Sequence, residues 1–376
     1  MSAGLSHTPC LLALEDGRTF LGIGFGHPGT VTGELVFNTS ITGYQEILTD
    51  PSYAGQVVTL TYPEIGNYGT NQADLESKKV FARGLVIRHL SRRHSNWRAS
   101  HSLPQFLAQH KVLGIYDVDT RAITKHIRDK GAMRCAISTE ILDPAELIAV
   151  AQNSPQMTGA DYTREVTTPE TFKMEPATGS TPKSPPYKVA VMDFGVKQSI
   201  LDNLSKQGFE LTVFPATAKA KDILATKPDA LFLSNGPGDP AACTDVLAEL
   251  PALLEARLPT FGICLGHQLL ALAFGATTYK LKFGHRGGNQ PVMDMTTGKV
   301  EITCQNHGFA VDGSSLPEDL ELTHINLNDK SVEGFKHKHL PVFCVQYHPE
   351  SSPGPSDANY LFERFKNLIE TQKVGV

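Results

Sequence analysis

The residues best suited to covalent chemistry are Gly262-Ile263-Cys264-Leu265-Gly266, a cysteine with a glycine two positions to either side. An apolar run at 260–263 precedes the cysteine. A helical pattern follows to Phe274, with Gly275 as its stop. This is the spacing of a nucleophile elbow, with sulfur in place of oxygen. A side chain held on so tight a strand-to-helix turn has strained dihedrals, and its neighbours must do without Cβ atoms. The helix N-terminus behind it favours thiolate over thiol. Buried cysteines at helix starts are common, so it is the strand–turn–helix setting that singles out Cys264.

A cysteine nucleophile needs an imidazole base, and the imidazole needs a carboxylate to set its tautomer. His348-Pro349-Glu350 supplies both at the exit of the strand-like run 342–347. Ser234-Asn235-Gly236-Pro237-Gly238-Asp239-Pro240 follows the apolar run 231–233. A loop at the C-terminal end of a parallel strand can turn backbone N–H groups towards an anion, here the tetrahedral oxyanion of acyl transfer. Gln305-Asn306-His307-Gly308-Phe309 is polar, lies between apolar runs and reads as a substrate loop. Two weaker signals are set aside. Gly22-Ile23-Gly24-Phe25-Gly26 lacks the dinucleotide spacing and is followed by Pro28-Gly29, so it reads as a strand with alternate glycines. The histidines lack metal-ligand spacing, and no metal site is expected.

The elements that must position these residues alternate. Strand-like runs at 189–192, 211–213, 231–233 and 260–263 are separated by helical patterns, including one over 244–256. This order predicts a mostly parallel sheet with helices on both faces. The first half opens with strand-like runs at 10–14 and 56–60. Its clearest helix starts at Asp119 and ends at Gly131, so a smaller α/β or α+β domain is expected there. Five prolines between 169 and 186 mark an exposed linker, giving domains at 1–168 and 187–376.

A chain of 376 residues suits two such domains. Lys and Arg total 34 against 39 acidic residues, which argues against a nucleic-acid partner. Arg88, Arg92, Arg93 and Arg98 read as a solvated face. No apolar stretch is long enough to span a membrane, and residues 1–10 lack the charged and apolar regions of a leader. Six scattered cysteines form no metal or disulfide framework, which suggests a reducing cytoplasm.

Taken together, Phe261-Gly-Ile-Cys-Leu-Gly-His-Gln268, the Gly-Pro-Gly loop and Gln346-Tyr-His-Pro-Glu350 closely resemble the class I (triad) glutamine amidotransferases. The first half narrows the resemblance. Gly33-Glu-Leu-Val-Phe-Asn-Thr-Ser-Ile-Thr-Gly-Tyr-Gln-Glu-Ile-Leu-Thr-Asp-Pro-Ser52 is similar to the N-terminal domain of the carbamoyl-phosphate synthase small-subunit family, as are Thr61-Tyr-Pro-Glu-Ile-Gly-Asn67 and Asp193-Phe-Gly-Val-Lys197. The likeness runs from about residue 10 to about 365. It implies a glutaminase subunit that hydrolyses L-glutamine through a Cys264 thioester, with His348 as base and Glu350 as its orienting carboxylate. It further implies that Leu265 and Gly238 N–H groups form the oxyanion hole, and that Ser52, Gly236, Gln268, Asn306, Gly308 and Phe309 surround glutamine. Ammonia would pass to a separate large subunit, which holds the ATP and Mg and makes carbamoyl phosphate for arginine and pyrimidine synthesis. No cofactor is implied in this chain. Two segments depart from the family: His285-Arg286-Gly-Gly-Asn289-Gln290, and Gln-Ser-Ile after Lys197. A stand-alone γ-glutamyl hydrolase on the same fold is the alternative, and it would not need the first 168 residues.

Overall fold

The computed structural model describes residues 8–178 and 186–374 and divides the chain into two units: Met1–Thr158 with Lys282–Arg286, and Gly159–Leu281 with Gly287–Val376. The N-terminal stretch before residue 8 and the heart of the expected linker, 179–185, lie outside the described residues.

Short, mostly apolar segments suit strands that are covered on both sides. In the first unit they form β1 (Pro9–Leu14), β2 (Thr19–Gly26), β3 (Thr30–Asn38), β4 (Gln56–Leu60), β5 (Glu64–Ile65), β6 (Gly84–Val86), β7 (His89–Leu90), β8 (Leu113–Tyr116) and β9 (Met133–Ser138). Seven of them close into a barrel in the order β1-β2-β8-β6-β4-β3-β9, while β5 and β7 pair apart. Adjacent residues serve different cores: Leu35, Val57 and Val86 pack in one cluster, and Val36, Val58 and Leu85 in another. The glycines set aside as a dinucleotide motif lie in β2, where a Cβ on Gly24 would come within 2.7 Å of Thr139. The expected late helix is Thr120–Lys130. The Asp119 carboxylate accepts the Ala122 N–H at 2.9 Å, and Gly131 closes the helix with φ 107°. Closure into a barrel goes beyond the expected mixed domain, because strands as short as β6 carry no periodicity to read. The basic cluster is only partly a solvated face. Arg98 grips Asp74 through two hydrogen bonds of 3.0 and 3.1 Å, and Arg88 donates to the Val118 carbonyl.

A 10-stranded sheet, which apart from residues 282–286 of β15 belongs to the second unit, runs in the order β10-β12-β11-β13-β14-β19-β18-β17-β15-β16. Its strands are β10 (Phe172–Met174), β11 (Lys188–Asp193), β12 (Glu210–Pro215), β13 (Ala230–Leu233), β14 (Thr260–Ile263), β15 (Thr278–Asp294), β16 (Val300–Val311), β17 (Leu320–Asn326), β18 (Val332–His337) and β19 (Val342–Val345). The parallel core expected from the sequence is β12-β11-β13-β14-β19. Antiparallel strands extend it at both ends. Core strands are apolar throughout because both faces are covered. Ala190, Met192, Leu231 and Leu233 pack under helices Thr244–Glu255 and Leu265–Ala273. Val189, Val191, Phe232 and Phe261 pack with residues of helices Gln198–Lys206 and Tyr360–Val374.

The chain divides between Thr158 and Gly159, ahead of the break expected at 168. Residues 172–174, counted with the linker, pair antiparallel with β12 as an edge strand. Thr167 explains the attachment: its hydroxyl donates to the Asp193 carbonyl and accepts from the Ala216 N–H. Helix Leu265–Ala273 sits hard against β13, where a Cβ on Gly266 would collide with the Leu233 carbonyl oxygen. Gly266→Ala is therefore expected to cost about 1–3 kcal/mol of stability. A fall of several degrees in the unfolding temperature of the purified chain would register it. An unchanged temperature would mean the helix moves off the sheet freely.

Candidate active site

In open parallel sheets, sites form at the C-terminal ends of the strands. Four such ends carry the polar segments here. After β11 come residues 194–197, after β13 the 234–240 loop, after β14 Cys264, and after β19 residues 346–350. Cys264 has φ 53° and ψ −102°, a conformation that L residues rarely adopt. Its N–H donates to the Val345 carbonyl at 2.9 Å, which ties the elbow to β19. The thiol donates to the Asn306 carbonyl at 3.7 Å. Gly236 packs under the elbow, and a Cβ there would strike the Phe194 carbonyl and the Leu265 side chain. Ser234 and Asn235 brace the neighbouring turn: Ser234 Oγ accepts the Phe194 N–H at 2.9 Å, and Asn235 Nδ2 donates to the Gly195 carbonyl at 2.9 Å.

His348 and Glu350 are buried beside it. The Glu350 carboxylate accepts from His348 Nδ1 at 2.7 Å. A carboxylate only accepts, so the proton sits on Nδ1 and Nε2 is left for chemistry. Nε2 has no hydrogen-bond partner among the described residues, and the Cys264 thiol is the neighbour that acts on the ring. Burial by itself lowers the ring's pKa. The Glu350 charge and the Cys264 contact outweigh it, and the net shift is well upward.

The same Glu350 oxygen accepts from Lys197 Nζ at 2.8 Å, and that ammonium also donates to the Ser352 carbonyl at 2.5 Å. All three ionisable side chains are at most 2% exposed. Burial pushes the Glu350 carboxyl up, but Lys197 and His348 together hold it down at about 2. Sequence reasoning missed Lys197 as a site residue. The available signal was its position after β11, at the same sheet end as Cys264 and His348.

The 305–309 segment is not a loop. It lies inside β16, where the polar side chains satisfy one another along the strand instead of facing water. Gln305 donates to Thr303 Oγ1 at 3.1 Å, and its amide oxygen lies 2.9 Å from His307 Nε2. His307 Nδ1 donates to the Phe309 carbonyl at 2.7 Å. Gln268 Nε2 donates to that same carbonyl at 2.8 Å and to Gln346 Oε1 at 2.9 Å. The structure thus brings together Cys264, His348, Glu350, Gly236, Leu265, Asn306, Gln268 and Phe309, with Gly308 next to Phe309 on β16. Gly238 stands on the 234–240 loop with φ 98°, where a Cβ would meet the Ala160 carbonyl oxygen at 2.7 Å. Ser52 belongs to the first unit. There it is buried in the turn Pro51–Tyr53, with its N–H donating to Asp50.

Residues 190–368 match the family described as glutamine amidotransferase class-I. Residues 12–137 match the carbamoyl-phosphate synthase small chain, CPSase domain. The chain is 52% identical over 377 residues to the carbamoyl phosphate synthase small chain of Synechocystis sp., with 98% of each chain covered. It is 53% identical to that of Akkermansia muciniphila, covering 96% of this chain and 98% of the relative. This chain belongs to the carbamoyl phosphate synthase small chain family.

Membership in the small chain family accounts for the N-terminal half, which a stand-alone γ-glutamyl hydrolase leaves unexplained. It also sharpens a contrast between two buried histidines. His267, next to the elbow helix's glycine, faces Cys344 Sγ at 3.1 Å, and burial lowers its pKa to about 3. It stays neutral in the core, while His348 is the histidine coupled to a carboxylate. Removing one partner of a buried ion pair strands the other charge, so Lys197→Met is expected to cost about 3–5 kcal/mol at pH 7. The sign with pH follows from Glu350. Its depressed pKa contributes stability that is present above the ordinary value of about 4.3 and lost as pH falls towards about 2. Without Lys197 burial pushes the Glu350 carboxyl up, so protonation relieves the stranded charge as pH falls, and the cost of the variant should be larger at pH 7 than at pH 4 in denaturant titrations. Parallel curves would show that Lys197 does not hold the carboxylate.

Proposed function

We propose that this chain is the glutaminase subunit of a glutamine-dependent carbamoyl-phosphate synthase. The observation that carries the reading is the buried run of Cys264, His348 and Glu350 beneath a strained elbow, in a chain whose two halves match the two small-chain domains. In the reaction, His348 Nε2 takes the thiol proton, and Cys264 Sγ attacks the side-chain carbonyl carbon of L-glutamine. The C–N bond breaks as His348 returns the proton to the departing ammonia, leaving a γ-glutamyl thioester. His348 then activates water, which cleaves the C–S bond and releases glutamate. Glu350 keeps Nδ1 protonated and favours the imidazolium formed in passing.

The oxyanion fits the backbone N–H groups of Leu265 and Gly238, neither of which donates to another described residue. Leu265 opens helix Leu265–Ala273, so its N–H is free of the helical ladder. Glutamine would be held by Gln268, Asn306, Gly308, Phe309 and Gly236. The thioester route draws only on side chains and backbone of this chain. The ATP- and Mg-dependent steps belong to a large-subunit partner that receives the ammonia, the two chains forming a heterodimer. Six cysteines, none in a disulfide, support a cytoplasmic setting, and no helix among the described residues is long and apolar enough to cross a membrane.

The test is glutamine hydrolysis by the purified chain, alone and mixed with a large synthetase subunit, ATP and bicarbonate. A basal rate that rises on mixing, with carbamoyl phosphate formed, is expected. A full rate without the partner would favour an independent hydrolase. Cys264→Ser should abolish glutamine-dependent synthesis while synthesis from added ammonia by the mixed complex continues. Because His348 must be unprotonated to take the thiol proton and its pKa is raised, activity should climb only as pH rises through a value above the free imidazole value of about 6.5, in a pH profile of glutamine hydrolysis.

A further inference from the structure

A carboxamide has a donor end and an acceptor end of nearly the same shape, so a glutamine in a binding site is useful only if something decides which end faces the ligand. For Gln268 that decision is visible. Its Nε2 lies 2.8 Å from the Phe309 carbonyl oxygen, a group that can only accept, which forces the amide nitrogen to that side. The second Nε2 hydrogen is taken by Gln346 Oε1 at 2.9 Å. Both donors of Gln268 are thus spent on the protein, and its Oε1 accepts from no described residue. Gln346 is itself fully buried, and its own Nε2 has no hydrogen-bond partner among the described residues. A buried amide that leaves its donor end unpaired is costly, unless its acceptor end is what the site needs. Its backbone N–H is fixed to the Glu333 carbonyl at 2.8 Å, which anchors it at the end of β19.

We propose that Gln346 is a positioning residue for substrate selection: it locks the Gln268 carboxamide with its oxygen turned to the substrate. This rests on the glutaminase reading above. The donor that suits such an oxygen is the α-ammonium of free glutamine, which is charged and takes no part in bond breaking. An interaction with a spectator group is made equally in the ground and transition states, so its loss appears in KM and not in kcat. Without Gln346, Gln268 keeps one anchor and gains freedom to turn a donor towards the ammonium, which repels it.

The variants separate this from a role in packing. Gln346→Glu keeps an acceptor opposite Gln268 Nε2 and loses only a donor that nothing uses. Gln346→Met keeps the volume and loses the acceptor. Gln346→Asn keeps a polar amide one methylene too short to reach. In the complex with the large subunit, Met and Asn variants are expected to raise KM for glutamine about ten-fold, with kcat within about two-fold. Gln346→Glu should stay within about three-fold of the parent in both. Gln268→Met and Gln346→Met together should do no more than Gln268→Met alone. An unchanged KM in the Met and Asn variants, a Glu variant as impaired as Met, or additive effects in the double variant would each overturn the proposal. A parent complex with no glutaminase activity would instead remove the reading on which it rests.

Discussion

One backbone constraint organises the second unit: Cys264 is held at a positive φ between β14 and a helix. The turn is tight enough that nothing beyond hydrogen fits on the inner side of its neighbours. Gly262 faces the helix that follows, Gly266 lies on β13, and Gly236 lies between the loop after β11 and Leu265. The strain is held because the elbow is bonded on two sides, from Cys264 N–H to Val345 and from Gly266 N–H to the Ser234 carbonyl at 3.0 Å. Those bonds join β14 to its two parallel neighbours' exits. The nucleophile's position is therefore set by the register of the central strands rather than by the flexibility of a loop.

Electrostatics then depends on one carboxylate. Glu350 is buried and would be neutral if left alone, yet a neutral acid could not hold His348 in the required tautomer. Lys197 resolves the conflict with a buried ammonium placed on the far side of the same oxygen. A lone buried ammonium would be just as unfavourable, and the Ser352 carbonyl takes up another of its hydrogens. The charges form an alternating series from lysine to carboxylate to imidazole, which favours each member in its ionised state.

Much of this is legible in the amino-acid sequence. The parallel core, the elbow and the His-Pro-Glu exit each rest on local patterns: apolar runs, glycines flanking a cysteine, a proline that stiffens a strand end. What escaped notice depends on contacts between distant segments. Lys197 looks like any helix-flanking lysine until Glu350 is placed beside it. Residues 305–309 are polar enough for a loop, yet their side chains bond to one another along β16, so polarity there does not mean exposure. The barrel of the first unit was hidden because closure depends on pairings between strands distant in sequence, two of which, β6 and β8, span only three and four residues. The early division at Thr158 was hidden because a linker rich in proline starts soon after it.

The three residues of β10 bear on how the molecule lives with its neighbours in a concentrated solution. An outermost strand offers unpaired backbone groups to any other sheet it meets. Phe172, Lys173 and Met174 cover one flank of β12 over a short span only, with Pro169 before them and Pro176 after. Proline has no N–H to offer, and the Lys173 ammonium, largely exposed, reaches Glu210 on the strand it covers. The segment that composition marks as a mere connector thus makes this edge of the sheet short, charged and bounded by prolines, the features that disfavour pairing with another sheet.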